Sequence, residues 1–181
     1  MIQWFLTDLI KKKMKDQFTD MTGLSPDLID QVDTDTIGSI LTWLTKNAEN
    51  GDAWNILDAL QKSHTGEVIR QPDSYSENIQ EKKPDGILNH ILWWDLEKVV
   101  GAVAEKNGIQ QEQAMAAFKF LAPLVMGYFG KQKPKDPEQL TNRLVIEQKQ
   151  IEKDTNISFT SLFDQDGDGD LDLNDVMKII S

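Results

Sequence analysis

Ile2-Gln3-Trp4-Phe5-Leu6-Thr7-Asp8-Leu9-Ile10-Lys11-Lys12-Lys13-Met14-Lys15-Asp16-Gln17-Phe18 decides the fold class. Ile2, Phe5, Leu6, Leu9, Ile10, Met14 and Phe18 recur at steps of three and four, the spacing that gathers side chains on one face of a helix. The lysines from Lys11 to Lys15 form its wet face, with their stems lying along the surface. A membrane-surface role is the sharper reading of that basic face. Gly23 ends the helix, and Ser25-Pro26 offers a cap followed by proline at a first helical position.

The same period continues outward. Leu28, Ile29 and Val32 read as a short helix, and Ile37, Ile40, Leu41 and Leu44 as the next. Asp52 to Lys62 reads as another, with Trp54, Leu57 and Leu60 on one side and Gly66 as its stop. Residues 66 to 85 are polar and carry Pro72 and Pro84, which suits a loop or flexible linker between two halves. Helices resume at Ile87. Asp95 caps one that runs to Asn107 and stops at Gly108. From Glu112 another turns Met115, Phe118 and Leu121 inward, and Pro123, without an amide proton, is expected to kink or break it. Asp136-Pro137-Glu138 is a strong helix start, followed by Leu140, Leu144 and Ile151. No alternating run argues for a strand. The fold class is all-α: a helical bundle of two related halves plus a C-terminal helix-loop-helix.

The two halves are suggested by a shift of 85 residues, which sets Gly23 on Gly108, Phe18 on Val103, Leu41 on Met126 and Leu44 on Phe129. It pairs residues 2–47 with 87–132. The division is a helical domain over 1–135 and a helix with a metal-binding segment over 136–181.

That segment holds Asp164-Gln165-Asp166-Gly167-Asp168-Gly169-Asp170-Leu171-Asp172-Leu173-Asn174-Asp175. Carboxylates stand at loop positions 1, 3, 5, 7, 9 and 12, glycine at 6 and a hydrophobe at 8, which is the EF-hand calcium pattern. Asp164, Asp166 and Asp168 supply side-chain oxygens, and Asp170 its carbonyl. Asp172 acts directly or through a water, and Asp175 closes the shell. Hard oxygen donors suit Ca²⁺ rather than zinc or copper. Aspartate at position 12, where glutamate is usual, shortens the reach by one methylene and narrows the margin over Mg²⁺. With aspartate there, the loop resembles a dockerin-type calcium loop. The bland alternative is an acidic Asp-Gly turn. Ser158 offers an N-cap to the apolar stripe of Phe159, Leu162 and Phe163 that enters the loop, and Val176, Met177, Ile179 and Ile180 leave it.

Composition bounds the functions. The chain has 181 residues, 39 % of them hydrophobic, enough for a real core. Taking the loop's six carboxylates out of the net charge of -11 leaves -5, so the protein is mildly acidic with one strongly acidic site. Nucleic-acid binding is disfavoured, because phosphate contacts need clustered Lys and Arg. Cysteine is absent, which removes disulfides, thiol nucleophiles and zinc-thiolate sites. No run reaches the length of a membrane span, and the N-terminus lacks the basic region of a signal peptide. The expectation is a soluble, cytoplasmic protein.

Ile87-Leu88-Asn89-His90-Ile91-Leu92, Gly108-Ile109-Gln110-Gln111-Glu112-Gln113-Ala114 and Leu121-Ala122-Pro123-Leu124-Val125-Met126-Gly127 resemble the YidB-like bacterial family of unknown function. The resemblance is best over residues 85 to 132. It implies an all-helical, soluble bacterial protein and carries no activity; members resembling this chain often end in an Asp-x-Asp-Gly-Asp-Gly tail. The chain departs at Asn89 and at Trp93-Trp94, where the family has glycines. The two indoles fill core or cover a partner surface.

An active site is not expected. His64 and His90 are far apart, and a helix-packing or capping role is the default for His90. A base would need a nucleophile and an orienting acid beside it. The remaining carboxylates read as solvated charge on helix faces. Three readings remain. The first is a non-catalytic calcium-binding protein whose metal stabilises the C-terminal segment. The second is a calcium-responsive interaction module, with a homo-oligomer or another protein as partner. The third is a hydrolase with a pocket between the halves, which a pocket lined by His90 and carboxylates would favour.

Overall fold

The computed structural model describes residues 1–82, 84–92 and 95–163. It is all-α, with no strand among the described residues. In chain order the helices are α1 (Ile2–Leu9), α2 (Lys15–Thr22), α3 (Ile29–Asn47), α4 (Ala53–Lys62), α5 (Glu67–Arg70), α6 (Pro84–Leu92), α7 (Leu96–Asn107), α8 (Gln111–Lys131), α9 (Pro137–Thr155) and α10 (Phe159–Phe163). Two long helices, α3 and α8, form the centre and pack on one another; α1, α6, α7, α9 and α10 lie on α3, while α2, α5, α6 and α7 lie on α8.

The opening stripe explains a local irregularity. Ile2, Leu6, Ile10, Met14 and Phe18 are all buried and stand four residues apart. An ideal helix turns about 100° per residue, so a strict step of four drifts by about 40° each time. A π turn over Ile10–Met14 joins α1 to α2 and winds more loosely, which returns the stripe towards the core. Lys11, Lys12 and Lys13 stay exposed on its outer side, as the sequence led us to expect. Gly23 and Gly108 both end helices in the left-handed conformation, at φ 67° and 63°. These are the two glycines that the shift of 85 residues superposes. Each is followed by a long central helix, α3 and α8 respectively.

Several sequence expectations need correction. Residues 28 to 47 do not form two helices: after a 3₁₀ turn at Pro26–Leu28, α3 runs unbroken, with Asp33, Asp35 and Thr36 inside it and buried. Pro123 neither ends nor divides α8, and the segment around it, from Phe120 to Val125, is fully buried. Packing on all sides holds the helix where the lost amide would otherwise open it. The described residues between 66 and 85 form short helical turns packed on the core rather than a flexible linker. Val68, Ile69, Tyr75 and Ile79 are buried, and the Tyr75 hydroxyl donates to the Phe120 carbonyl at 2.6 Å. Four anchors outweigh the polar composition. Helix resumes at Pro84 rather than Ile87. On α4 the inward arc is Ala53, Ile56, Leu57 and Leu60, which leaves Trp54 68 % exposed.

Glycines set the closest approaches. A Cβ on Gly130 would lie 1.6 Å from the His64 carbonyl oxygen, and one on Gly127 2.5 Å from Val68, so the chain after α4 lies directly on α8. A Cβ on Gly38 would lie 2.2 Å from the Phe159 ring. Phe159 is fully buried there, which seats α10 on α3. The start of α9 is as the sequence implied: the Asp136 carboxylate accepts from the Gln139 amide at 2.8 Å. Leu140, Leu144 and Ile151 are its buried face. Glu147 joins α9 to the chain start, accepting from the Ile2 amide at 2.8 Å and the Tyr128 hydroxyl at 3.0 Å. Burial and the neighbouring Glu147 carboxylate push the Tyr128 hydroxyl up to about 12.

Candidate functional site

The two histidines, distant in sequence, line one cavity. The end of α3 supplies Leu44. A tight turn through Gly51, at φ 103°, then starts α4 at Asp52. Asn47 donates to the Ile91 carbonyl at 2.8 Å and ties the end of α6 to the end of α3. Between α4 and α6, over Met126 of α8, lies a cavity of about 440 Å³ walled by Leu44, Ile56, Ile87 and Ile91. Ser63, His64 and His90 add its polar groups.

Asp52 occupies the cap position of α4, yet its side chain accepts nothing from that helix's own amides. It turns to His90 instead, with Oδ2 2.9 Å from Nε2. Its other oxygen accepts from the side-chain Nδ2 of Asn55 at 2.6 Å. A carboxylate only accepts, so Nε2 carries the hydrogen and Nδ1 holds a lone pair whenever the ring is neutral. The pair sits at the rim, with side chains 52 % and 29 % exposed, so it fixes the ring more than it stabilises the fold.

An orienting acid is therefore present beside His90, but Ser63, the hydroxyl residue that lines the same cavity, lies out of its reach. Ser63 and Asp52 stand at opposite ends of α4. At 1.5 Å per residue their α-carbons are roughly 16 Å apart. Even fully extended, both side chains and the imidazole fall short of that span, so Ser63 does not hydrogen-bond to His90. His90, held beside the start of α4, and Ser63-His64, just past its end, both line the cavity.

Two carboxylates on α3 are buried, contrary to the expectation of solvated faces. Asp35 is closed off from solvent and receives Lys106 Nζ at 2.5 Å and Asn107 Nδ2 at 2.8 Å from the end of α7. Asp33 is equally buried, and neither of its oxygens has a hydrogen-bond partner among the described residues. Burial, with the negative charge of Asp30 adding to it, holds the Asp33 carboxyl well above the usual carboxylate range, against a smaller opposing effect of Lys11. No spacing signal links Asp35 to a helix end 71 residues away. Its neighbours Val32 and Ile37, both buried, were the available hint that this turn faces inward.

The predicted calcium ligands Asp164, Asp166, Asp168, Asp170, Asp172 and Asp175 lie outside the described residues, as do Trp93 and Trp94. The segment leading to the loop is described: Ser158 Oγ accepts from the Ser161 amide at 3.4 Å, and Phe159 is seated on Gly38. Among the described residues no group of three or more histidines, aspartates and glutamates is placed to hold a metal ion, and no helix is long and apolar enough to cross a membrane.

No curated protein and no solved structure matches the chain. The family described as "Bacterial protein of unknown function (DUF937)" matches residues 5–132, from the first turn of α1 to just past α8. The match takes in both central helices and the whole wall of the histidine cavity, and the chain belongs to that bacterial family.

Proposed function

We propose that this protein is a non-catalytic calcium-binding helical module, in which one Ca²⁺ held by residues 164 to 175 stabilises the C-terminal segment. The observation that carries the reading is the spacing of Asp164, Asp166, Asp168, Asp170, Asp172 and Asp175 around Gly169, a donor set of hard oxygens. Calcium supplies a charge that lets these carboxylates converge. The chain supplies the mount. Phe159 packs on Gly38 only five residues before the loop, so ordering the loop adds to a segment already docked on α3. That mount favours a structural clip over a responsive switch.

The family resemblance of residues 85 to 132 to YidB-like proteins fits a non-enzymatic reading, and so does the distance that separates Ser63 from the Asp52–His90 pair. The paired left-handed glycines, Gly23 and Gly108, support the further reading that residues 2–47 and 87–132 are related units. Mg²⁺ competes for the loop because Asp175 gives a short final ligand.

Isothermal titration of Ca²⁺ into metal-stripped protein, repeated with Mg²⁺ present, tests the proposal. One site of micromolar or tighter affinity, lost in Asp164→Asn/Asp168→Asn, is expected. No saturation at millimolar Ca²⁺ would reduce the segment to an acidic tail.

A further inference from the structure

The slot between α4 and α6 has the features of a small-molecule site. Its volume of about 440 Å³ falls within the roughly 300–1,000 Å³ usual for such sites. Its walls are mostly apolar, and its polar side chains are few: Ser63, His64 and His90. His90 lines it, and Asp52, itself held by Asn55, holds the ring through Nε2. Turned towards His90, the Asp52 carboxylate leaves the first backbone amides of α4 without a side-chain cap. It does fix which nitrogen of His90 accepts.

We propose that this slot binds a small, mainly apolar molecule bearing one O–H or N–H donor, which hydrogen-bonds to Nδ1 of His90. The donor requirement follows from the fixed tautomer. With Nε2–H committed to Asp52, the neutral ring offers only a lone pair. The charge requirement follows from Asp52 itself: a carboxylate beside the ring opposes an anionic head and tolerates a neutral or cationic one. The apolar body follows from Leu44, Ile56, Ile87, Ile91 and Met126. The proposal uses no residue of the proposed calcium loop, so failure of either proposal leaves the other standing.

The test is a titration of the full chain, followed by amide chemical shifts, with hexanol, octanol, decanol, octylamine, octanoate and heptyl methyl ether. Saturable binding of the alcohols and the amine is expected, tightening about 4-fold per added methylene. Octanoate and the ether, which lacks a donor, are expected to bind at least tenfold more weakly than octanol. In His90→Phe, octanol and the ether should become equal, while Ala59→Trp, which fills the slot, should abolish binding of both. Octanoate binding as tightly as octanol, a preference for octanol that survives in His90→Phe, or no saturable binding by any member would overturn the proposal.

Discussion

The two central helices, α3 and α8, are both buried along most of their length, yet by different chemistry. The core of α8 is apolar throughout: Phe118, Phe120, Leu121, Leu124, Val125 and Phe129 are all but inaccessible. Phe120 meets Phe18 and Tyr75 edge-on, with ring centres 5.1 and 5.0 Å away. On α3, Asp33, Asp35, Thr36, Ser39, Thr42 and Thr45 are buried among Ile37, Ile40 and Leu41. Ser39 and Thr42 return their hydroxyls to carbonyls one turn back, at 2.7 and 2.8 Å. Asp35 is satisfied by α7, and Asp33 by nothing described. Burial of α8 thus follows from its own side chains, whereas burial of α3 depends on what its neighbours bring: Lys106 and Asn107 from α7, and Phe159 from α10.

Breaking that dependence at its tightest point gives the largest effect. Gly38→Ala places a methyl inside the Phe159 ring and unseats a fully buried phenylalanine. A loss of about 3–5 kcal/mol is expected, the range for removing a phenylalanine from a core, read as a lower denaturant midpoint. Asp35→Ala strands Lys106 and Asn107. Because the Lys106 side chain is 29 % exposed and can turn to water, the loss should be smaller, about 2–3 kcal/mol.

Asp33 acts in the opposite direction. Its carboxyl holds its proton more tightly when folded than the ordinary value of 3.8. From that value up to the raised folded one, the native state keeps a proton that the unfolded chain has released, so stability falls as pH rises through the window. Asp33→Asn should remove this slope and stabilise the protein at neutral pH by on the order of 1–3 kcal/mol, measured by denaturant unfolding at several pH values. The smallest effect is the control for Gly38. A Cβ on Gly101, inside α7, meets nothing within 4 Å, so Gly101→Ala should stabilise by about 0.5–1 kcal/mol.

The same contrast explains what the sequence disclosed. Where burial comes from a helix's own apolar stripe, as in Ile2 to Phe18 or Leu140 to Ile151, the period of the stripe was enough. The left-handed stops at Gly23 and Gly108 and the cap at Asp136 were legible because local chemistry sets them. The continuity of α3 was not, because Asp33-Thr34-Asp35-Thr36 reads as a polar break until Lys106 is known to arrive. Pro123 reads as a breaker for the same reason: its tolerance lies in the packing around it. The pairing of Asp52 with His90, and the cavity that both histidines line, join residues of α4, α6 and α8 and left no periodic trace. The proposed calcium loop is the reverse case, argued from spacing alone.

In the proposed function, calcium acts as a clip on a segment already seated on α3. Thermal unfolding of the metal-stripped full chain, with and without Ca²⁺ at about a hundred times its dissociation constant, tests it most directly. Binding to the folded state alone would add about 2.7 kcal/mol. For a protein of this size that raises Tm by roughly 5–10 °C, and the rise should vanish in Asp164→Asn/Asp168→Asn. An unchanged Tm in the wild-type protein, at a Ca²⁺ concentration that saturates the loop, would contradict the account.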